Sequence, residues 1–261
     1  MLSKKMIYGF ISSLFLMSFS VSAADLNEIL KSGEVKIAVP EAFAPFGSVG
    51  KTGEHEGYDV DVAKLIAKDL GVKLKIVPVV SKQRIPFLET DKVDLVISTM
   101  GANPSRAKSI NFSSAYAPFY SGVFAPSSIK ISSYADLDGL TIGVTGGTLE
   151  DLELTKMAPK GAKITRFGDN AATLSAIKSK QVQVLVAGNT VAASVTEVNP
   201  DFDLERKFII KDSPCFIGVK KGNEDLLRWV NVFILHKKLG GDLNKISLKW
   251  LGQDLPSLPS L

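Results

Sequence analysis

Apolar and polar residues alternate along this chain with two distinct periods. DLNEILKSG has the spacing of a short amphipathic helix stopped by Gly33, and VKIAV then alternates as a strand. After a loop rich in Pro, Gly and aromatic residues, EAFAPFGSVGKTGEHEG, the run YDVDVAKLIAKDLG sets Val62, Leu65, Ile66 and Leu70 on one helical face and ends at Gly71. VKLKIVPV reads as the next strand, IPFLET as a short helix and KVDLVIS as a strand. Strand and helix in that alternation predict a largely parallel sheet covered by helices.

The pattern then restarts. TIGVTGG is a strand and a glycine turn, LEDLELTKMAP a helix, AKITRFG a strand, NAATLSAIKS a helix and QVQVLVAG a strand, so residues 125–211 hold a second α/β unit. APFYSGVFA and SPCFIGVK, both of extended character, flank it. NEDLLRWVNVFILHKKLGGDLNKISLKWLG predicts two helices broken at Gly240 and Gly241, free to pack back on the first unit. The expectation is two α/β lobes: lobe 1 over residues 25–120 plus 218–261, lobe 2 over 121–217, with hinge strands near 117–125 and 213–220. A single doubly wound sheet is the rival architecture. Two lobes joined by two strands leave a cleft walled by the carboxyl ends of the sheets, where ligands of open α/β sheets bind.

Composition narrows the setting. Lys4 and Lys5 precede the apolar run IYGFISSLFLMSFSV and small residues follow at Ser22, Ala23 and Ala24, which predicts a secretory signal peptide over residues 1–24, cleaved on export. Its loss removes two of 31 basic residues and none of 27 acids, leaving a balance that does not call for nucleic acid. At 45% hydrophobic, the chain has ample material for a core. Its one cysteine, Cys215, forms no internal bridge and predicts neither a disulfide framework nor a Cys-rich metal site.

Candidate chemistry collects at the predicted strand ends. STMGANPSR places Ser98, Thr99 and Gly101 after a buried strand and Arg106 just beyond, where a guanidinium holds a carboxylate through paired N–H bonds. Gly146 and Gly147 allow a tight turn and Thr148 would cap the helix that follows, whose N-terminus suits an anion. Each feature alone also fits an ordinary loop or a capped helix; together they suit a small carboxylate ligand. Phe43 offers a flat face to an apolar stem or a cation. Catalytic patterns are thin: His55 sits in a polar Gly/Glu loop and His236 in the basic run LHKKLGG, so neither reads as a base oriented by a carboxylate, and no GxSxG, HExxH, CxxC or P-loop motif occurs. No catalytic residue, metal or cofactor is expected. Glu150, in a first helical turn, reads as a capping acid.

The stretches EGYDVDVAKLIAKDLG, RIPFLETDKVDLVIS, NPSRAKSINFSSAY, DLDGLTIGVTGGT and LGGDLNKISLKWLG stand in an order and spacing that resemble the periplasmic amino-acid-binding proteins of ATP-driven (ABC) uptake systems, solute-binding protein family 3. The resemblance covers nearly all of the chain beyond the leader. It implies the two-lobe α/β periplasmic-binding-protein fold of type II, with the second lobe inserted in the first, and a monomeric receptor that delivers a small ligand to a membrane-embedded permease. By the same resemblance, Arg106 holds an α-carboxylate with Ser98, Thr99, Gly101, Gly147 and Thr148, Phe43 covers the ligand, and Asn189 stands where an aspartate usually takes the α-ammonium. Asn189 lacks that charge, and Gly101 replaces the commoner Ser or Thr. Arg84 resembles the arginine that holds a side-chain carboxylate in binders of acidic amino acids. The implied ligand is a polar or acidic amino acid. Another small carboxylate, or a cyclohexadienyl-dehydratase-like enzyme, are the alternatives, and a chemosensory role would use the same cleft.

Overall fold

The computed structural model describes residues 25–198 and 201–259, and the predicted signal peptide lies outside them. The chain runs through α1 (Leu26–Ser32), β1 (Glu34–Pro40), β2 (Ser48–Val49), β3 (His55–Glu56), α2 (Tyr58–Leu70), β4 (Lys73–Val79), α3 (Arg84–Glu89), β5 (Leu95–Gly101) and β6 (Ile110–Ala117). It continues with β7 (Tyr120–Ala125), β8 (Thr141–Thr145), α4 (Leu149–Met157), β9 (Lys163–Phe167), α5 (Asn170–Lys178), β10 (Val184–Gly188), α6 (Asn189–Val198) and β11 (Glu205–Asp212). It then returns through β12 (Cys215–Lys220), α7 (Glu224–Leu239) and α8 (Asp242–Leu251).

Two five-stranded sheets result, ordered β4-β1-β5-β12-β6 and β11-β7-β10-β8-β9. The first three strands of the former and the last three of the latter are parallel, and β12 and β7 enter antiparallel. This is a two-lobe α/β fold with the second sheet inserted in the first. β5 is buried at every residue, as expected of a central strand covered on both faces. The small β2–β3 hairpin, β6, α6 and β11 had no separate place in the sequence reading. α6 is drawn from NTVAASVTEV, rich in β-branched residues that weaken a local helix signal.

α2 shows why the pattern holds. Gly71, at φ 69°, closes the helix with its N–H on the Ala67 and Lys68 carbonyls, a left-handed turn natural to glycine. Val62, Ala63, Ile66 and Leu70 are buried against the sheet, each large side chain contributing about 1.5–3 kcal/mol. Leu65, predicted on the same face, is half-buried at its margin. The two C-terminal helices pack back on this lobe, where Trp250 Nε1 and Lys249 Nζ donate to Asp61 of α2 at 2.8 and 2.7 Å.

The crossings between sheets are shorter than the strand-length hinges the sequence suggested. β6 leaves the first sheet at Ala117 and β7 enters the second at Tyr120; β11 ends at Asp212 and β12 pairs with Gly101 from Cys215 onward. Residues 215–217, assigned to lobe 2 from the pattern, therefore lie in the first sheet. Extended character runs unbroken through each stretch, and only pairing shows where the partner changes. The Ser213 N–H donates to the Phe119 carbonyl at 2.9 Å, tying the two crossings together. Cys215 is buried, and burial pushes its thiol well above the usual range. Among the described residues no helix is long and apolar enough to cross a membrane.

Candidate functional site

The first wall of the cleft is the end of β5. Thr99 has φ 46°, a left-handed conformation that a β-branched residue rarely takes and that stores about 1–3 kcal/mol of strain. Two hydrogen bonds surround it: Thr99 Oγ1 donates to Asp59 Oδ2 at 2.7 Å, and the Tyr116 hydroxyl donates to Asp59 Oδ1 at 2.6 Å. The pairing of β5 with β12 slips between Val96 and Met100, around this residue. Asp59 is fully buried, and burial raises its carboxyl to about 6 against the lowering influence of Tyr116, Thr99 and Arg84.

Arg84 begins α3 and is 6% exposed; its Nε donates to Ser98 Oγ at 3.0 Å. Burial, then the charge of Arg106, push it down to about 10, opposed by Asp59 and Glu150, so it stays charged at neutral pH. Its terminal amino groups make no hydrogen bond among the described residues. Arg106 is held by its own N–H on Asn103 Oδ1, at 2.8 Å. Its Nη1 donates to the Gly101 carbonyl at 2.8 Å and its Nη2 to the Gly147 carbonyl at 3.0 Å, so one guanidinium joins both lobes. Burial lowers it as well, opposed by Glu150.

The second wall is the turn from β8 into α4. Gly147 has φ 80°, and a side chain there would come within 2.8 Å of Lys82 Cγ; one at Gly146 would meet Lys82 Cε at the same distance. The glycine pair thus lets a lobe 1 lysine lie over the turn. Thr148 caps α4, accepting from the Asp151 N–H at 3.2 Å and donating to the Thr145 carbonyl at 2.9 Å. Asp151 accepts from the Gly147 N–H at 2.9 Å and from Arg166 at 2.7 Å.

These bonds correct two expectations. The Gly147 amide, read as an anion donor, is committed to Asp151, whose place one turn ahead on the helix puts a carboxylate in the anion's seat. Thr148 caps the helix as its position suggested, and the first-turn acid that bonds the helix end is Asp151, not Glu150. Glu150 is 6% exposed, lines the cavity, and accepts no hydrogen bond among the described residues.

Between the walls lies a narrow cavity of about 20 Å³ lined by Phe43, Arg84, Thr99, Gly101, Arg106 and Thr148 among the predicted residues. Phe119, Glu150, Asn170, Val191 and Ser213 join them from lobe 2 and the crossings. Ser98 stands behind the lining, where it orients Arg84. Asn189 is turned away: it opens α6 and its Oδ1 accepts from the Tyr120 N–H at 3.2 Å, because β7 starts beside it. Phe43 packs at 5.4 Å from Phe46 and edge-on at 6.2 Å from Phe119, which lies across Gly188 where any side chain would collide. Both arginines also line an adjoining cavity of about 310 Å³ that includes Lys82.

Sequence reasoning missed Asp59, Phe119, Glu150 and Ser213. A charge inside the apolar register of YDVDV was the available signal for Asp59. Ser213 had none: its hydroxyl occupies the space where a Gly101 side chain would stand, which accounts for glycine there.

A model of the bacterial extracellular solute-binding proteins, family 3, matches residues 35–253. The ABC transporter glutamine-binding protein GlnH of Bacillus subtilis is 30% identical over 207 residues, 78% of this chain and 75% of its own. A solved solute receptor for L-cysteine from Neisseria gonorrhoeae superposes with a TM-score of 0.81 at 32% identity, covering 87% of this chain and 94% of its own. The ancestral amino acid-binding protein AncCDT-1, a precursor of cyclohexadienyl dehydratase, superposes with a TM-score of 0.80 at 31% identity, covering 86% and 98%.

Proposed function

The chain belongs to the bacterial extracellular solute-binding proteins, family 3, and from that premise we propose that it is a receptor for a polar or acidic amino acid, which it passes to the permease of an ABC uptake system. The observation that carries the reading is the convergence of Arg84, Arg106 and Glu150 on one cavity whose walls come from different lobes. Arg106 and the Thr99 end of β5 form the seat for the α-carboxylate. Arg84, with its terminal amino groups open, suits a second carboxylate or a side-chain amide. Phe43 and Phe119 cover the apolar stem. A ligand that touches both walls favours the closed arrangement, so binding and lobe closure are one equilibrium. The reading places a monomer in the periplasm, exported by the leader and meeting the permease at the membrane surface. Two of its relatives are named for the polar amino acids glutamine and L-cysteine, and others for arginine.

The test is calorimetry on protein unfolded and refolded to strip bound ligand, titrated with amino acids, keto acids and dicarboxylates. Saturable binding of one or a few amino acids is expected; a flat response across the whole panel defeats the receptor reading. A dehydratase-like reading asks for an acid in the cleft, and Glu150 occupies such a place. Prephenate and arogenate incubated with the protein reassign it to that class if an aromatic product's absorbance appears.

A further inference from the structure

Asn189 leaves the receptor without a charged partner for an amino acid's ammonium at the expected place, and the structure shows its amide oxygen committed to the Tyr120 N–H. The cavity nevertheless holds one carboxylate. Glu150 is 94% buried by the 6% exposure of its residue, lines the cavity from the second residue of α4, and accepts no hydrogen bond among the described residues. The helix end does not need it, since Thr148 and Asp151 satisfy the cap. It lines the same cavity as the two arginines, and its charge acts on both.

Resting on the receptor reading, we propose that Glu150 is the seat of the ligand's α-ammonium, so that selectivity for amino acids over their des-amino counterparts resides in lobe 2's α4 rather than at the start of α6. A buried carboxylate without donors is costly unless a cation meets it. A zwitterion supplies that cation on the atom next to the carboxylate that Arg106 holds, so one small ligand satisfies both walls. A cationic side chain is a poorer occupant, since it adds positive charge to a cavity already lined by two guanidiniums. Closure follows from the same geometry: the carboxylate binds lobe 1, the ammonium binds lobe 2, and only the whole ligand bridges them.

The experiment compares the parent with Glu150→Gln and Glu150→Asp, each refolded ligand-free and checked for an unchanged circular dichroism spectrum and melting curve. The probes are the twenty common L-amino acids and, for those that bind, their des-amino acids, such as glutarate for L-glutamate or 3-mercaptopropionate for L-cysteine. The parent is expected to prefer the amino acid in each pair, and E150Q to lose about 10-fold to 100-fold of affinity for it while the des-amino partner binds unchanged or more tightly. E150D, which keeps the charge, should retain part of the preference. If Glu150 only offset the arginines' charge, E150Q would shift both members of each pair alike, and that result overturns the inference. Amino-acid preference undiminished in E150Q overturns it too, while leaving the receptor reading intact. Failure of the parent to bind any amino acid removes both.

Discussion

The two walls of the cleft are built in opposite ways. The lobe 1 wall is committed in depth: Thr99 is held in a strained turn by a fully buried Asp59, which is held in turn by Tyr116, and Arg84 is fixed by Ser98. The lobe 2 wall is a capped helix start whose bonds are satisfied locally by Thr148 and Asp151, which leaves Glu150 unbonded. One wall presents rigid cations, the other a single open carboxylate. A preorganised anion seat with an opposing partner that acts only on closure separates affinity from selectivity, since the first lobe can hold a carboxylate before the second arrives.

Arg106 belongs to both walls, so removing it should break the comparison most. R106A is expected to weaken the amino acid bound best in the refolded-protein screen by about 2–5 kcal/mol, roughly 30-fold to several thousand-fold. Calorimetry checks the affinity, and the ligand-free melting point should move by only a few degrees. Binding within threefold of the parent would place the anion seat elsewhere.

Asp59 tests the depth of the first wall through pH. Its folded carboxyl is raised from 3.8 to about 6, so its stabilising contribution is fully present below 3.8 and is lost as pH rises through 6. Urea unfolding at intervals from pH 4 to 7 should show the parent losing on the order of 2–3 kcal/mol relative to D59N across that window. Parallel profiles for the two proteins would mean that burial does not hold the Asp59 carboxyl above its usual range.

Smaller changes sharpen the contrast. G101S places a side chain against Ser213 Oγ and within 3.0 Å of Leu149 Cδ2, a lobe 2 atom, so it should disfavour closure specifically. An affinity loss of about threefold to tenfold, with the ligand-free melting point within about 2 °C of the parent, is expected. A melting point lowered in step with affinity would show instead that Gly101 serves the fold of lobe 1. T148A should cost about 1 kcal/mol of stability by removing the α4 cap, seen as a melting point lower by about 2–4 °C. No change there would mean that Asp151 alone suffices at that helix end.

Much of the architecture was legible because it is written in local periods. The helical stripe of α2, the glycine stops at Gly33 and Gly71, and the alternation of strand and helix each arise within a few residues, where backbone geometry alone sets which side chains share a face. Strand ends bearing Arg106 and the Gly146-Gly147-Thr148 turn could likewise be placed at the cleft from sequence, since a parallel sheet puts those ends on one edge. Asn189 and Glu150 show the limit. Both sit at helix starts, and nothing in the residues around them distinguishes the one whose oxygen takes the Tyr120 N–H from the one left facing the cavity.

The sequence by itself determined the two α/β units, the elements within them and the cations available at their strand ends. Tertiary structure alone decided where the chain crosses between sheets, which side chains crowd Gly101, which donors are already engaged and which carboxylate stays open. The division has a physical cause. Periodicity and capping are short-range, fixed by neighbouring dihedrals and side chains, whereas hydrogen-bond commitment and burial depend on partners such as Asp59 with Tyr116, or Gly101 with Ser213, that only folding brings together.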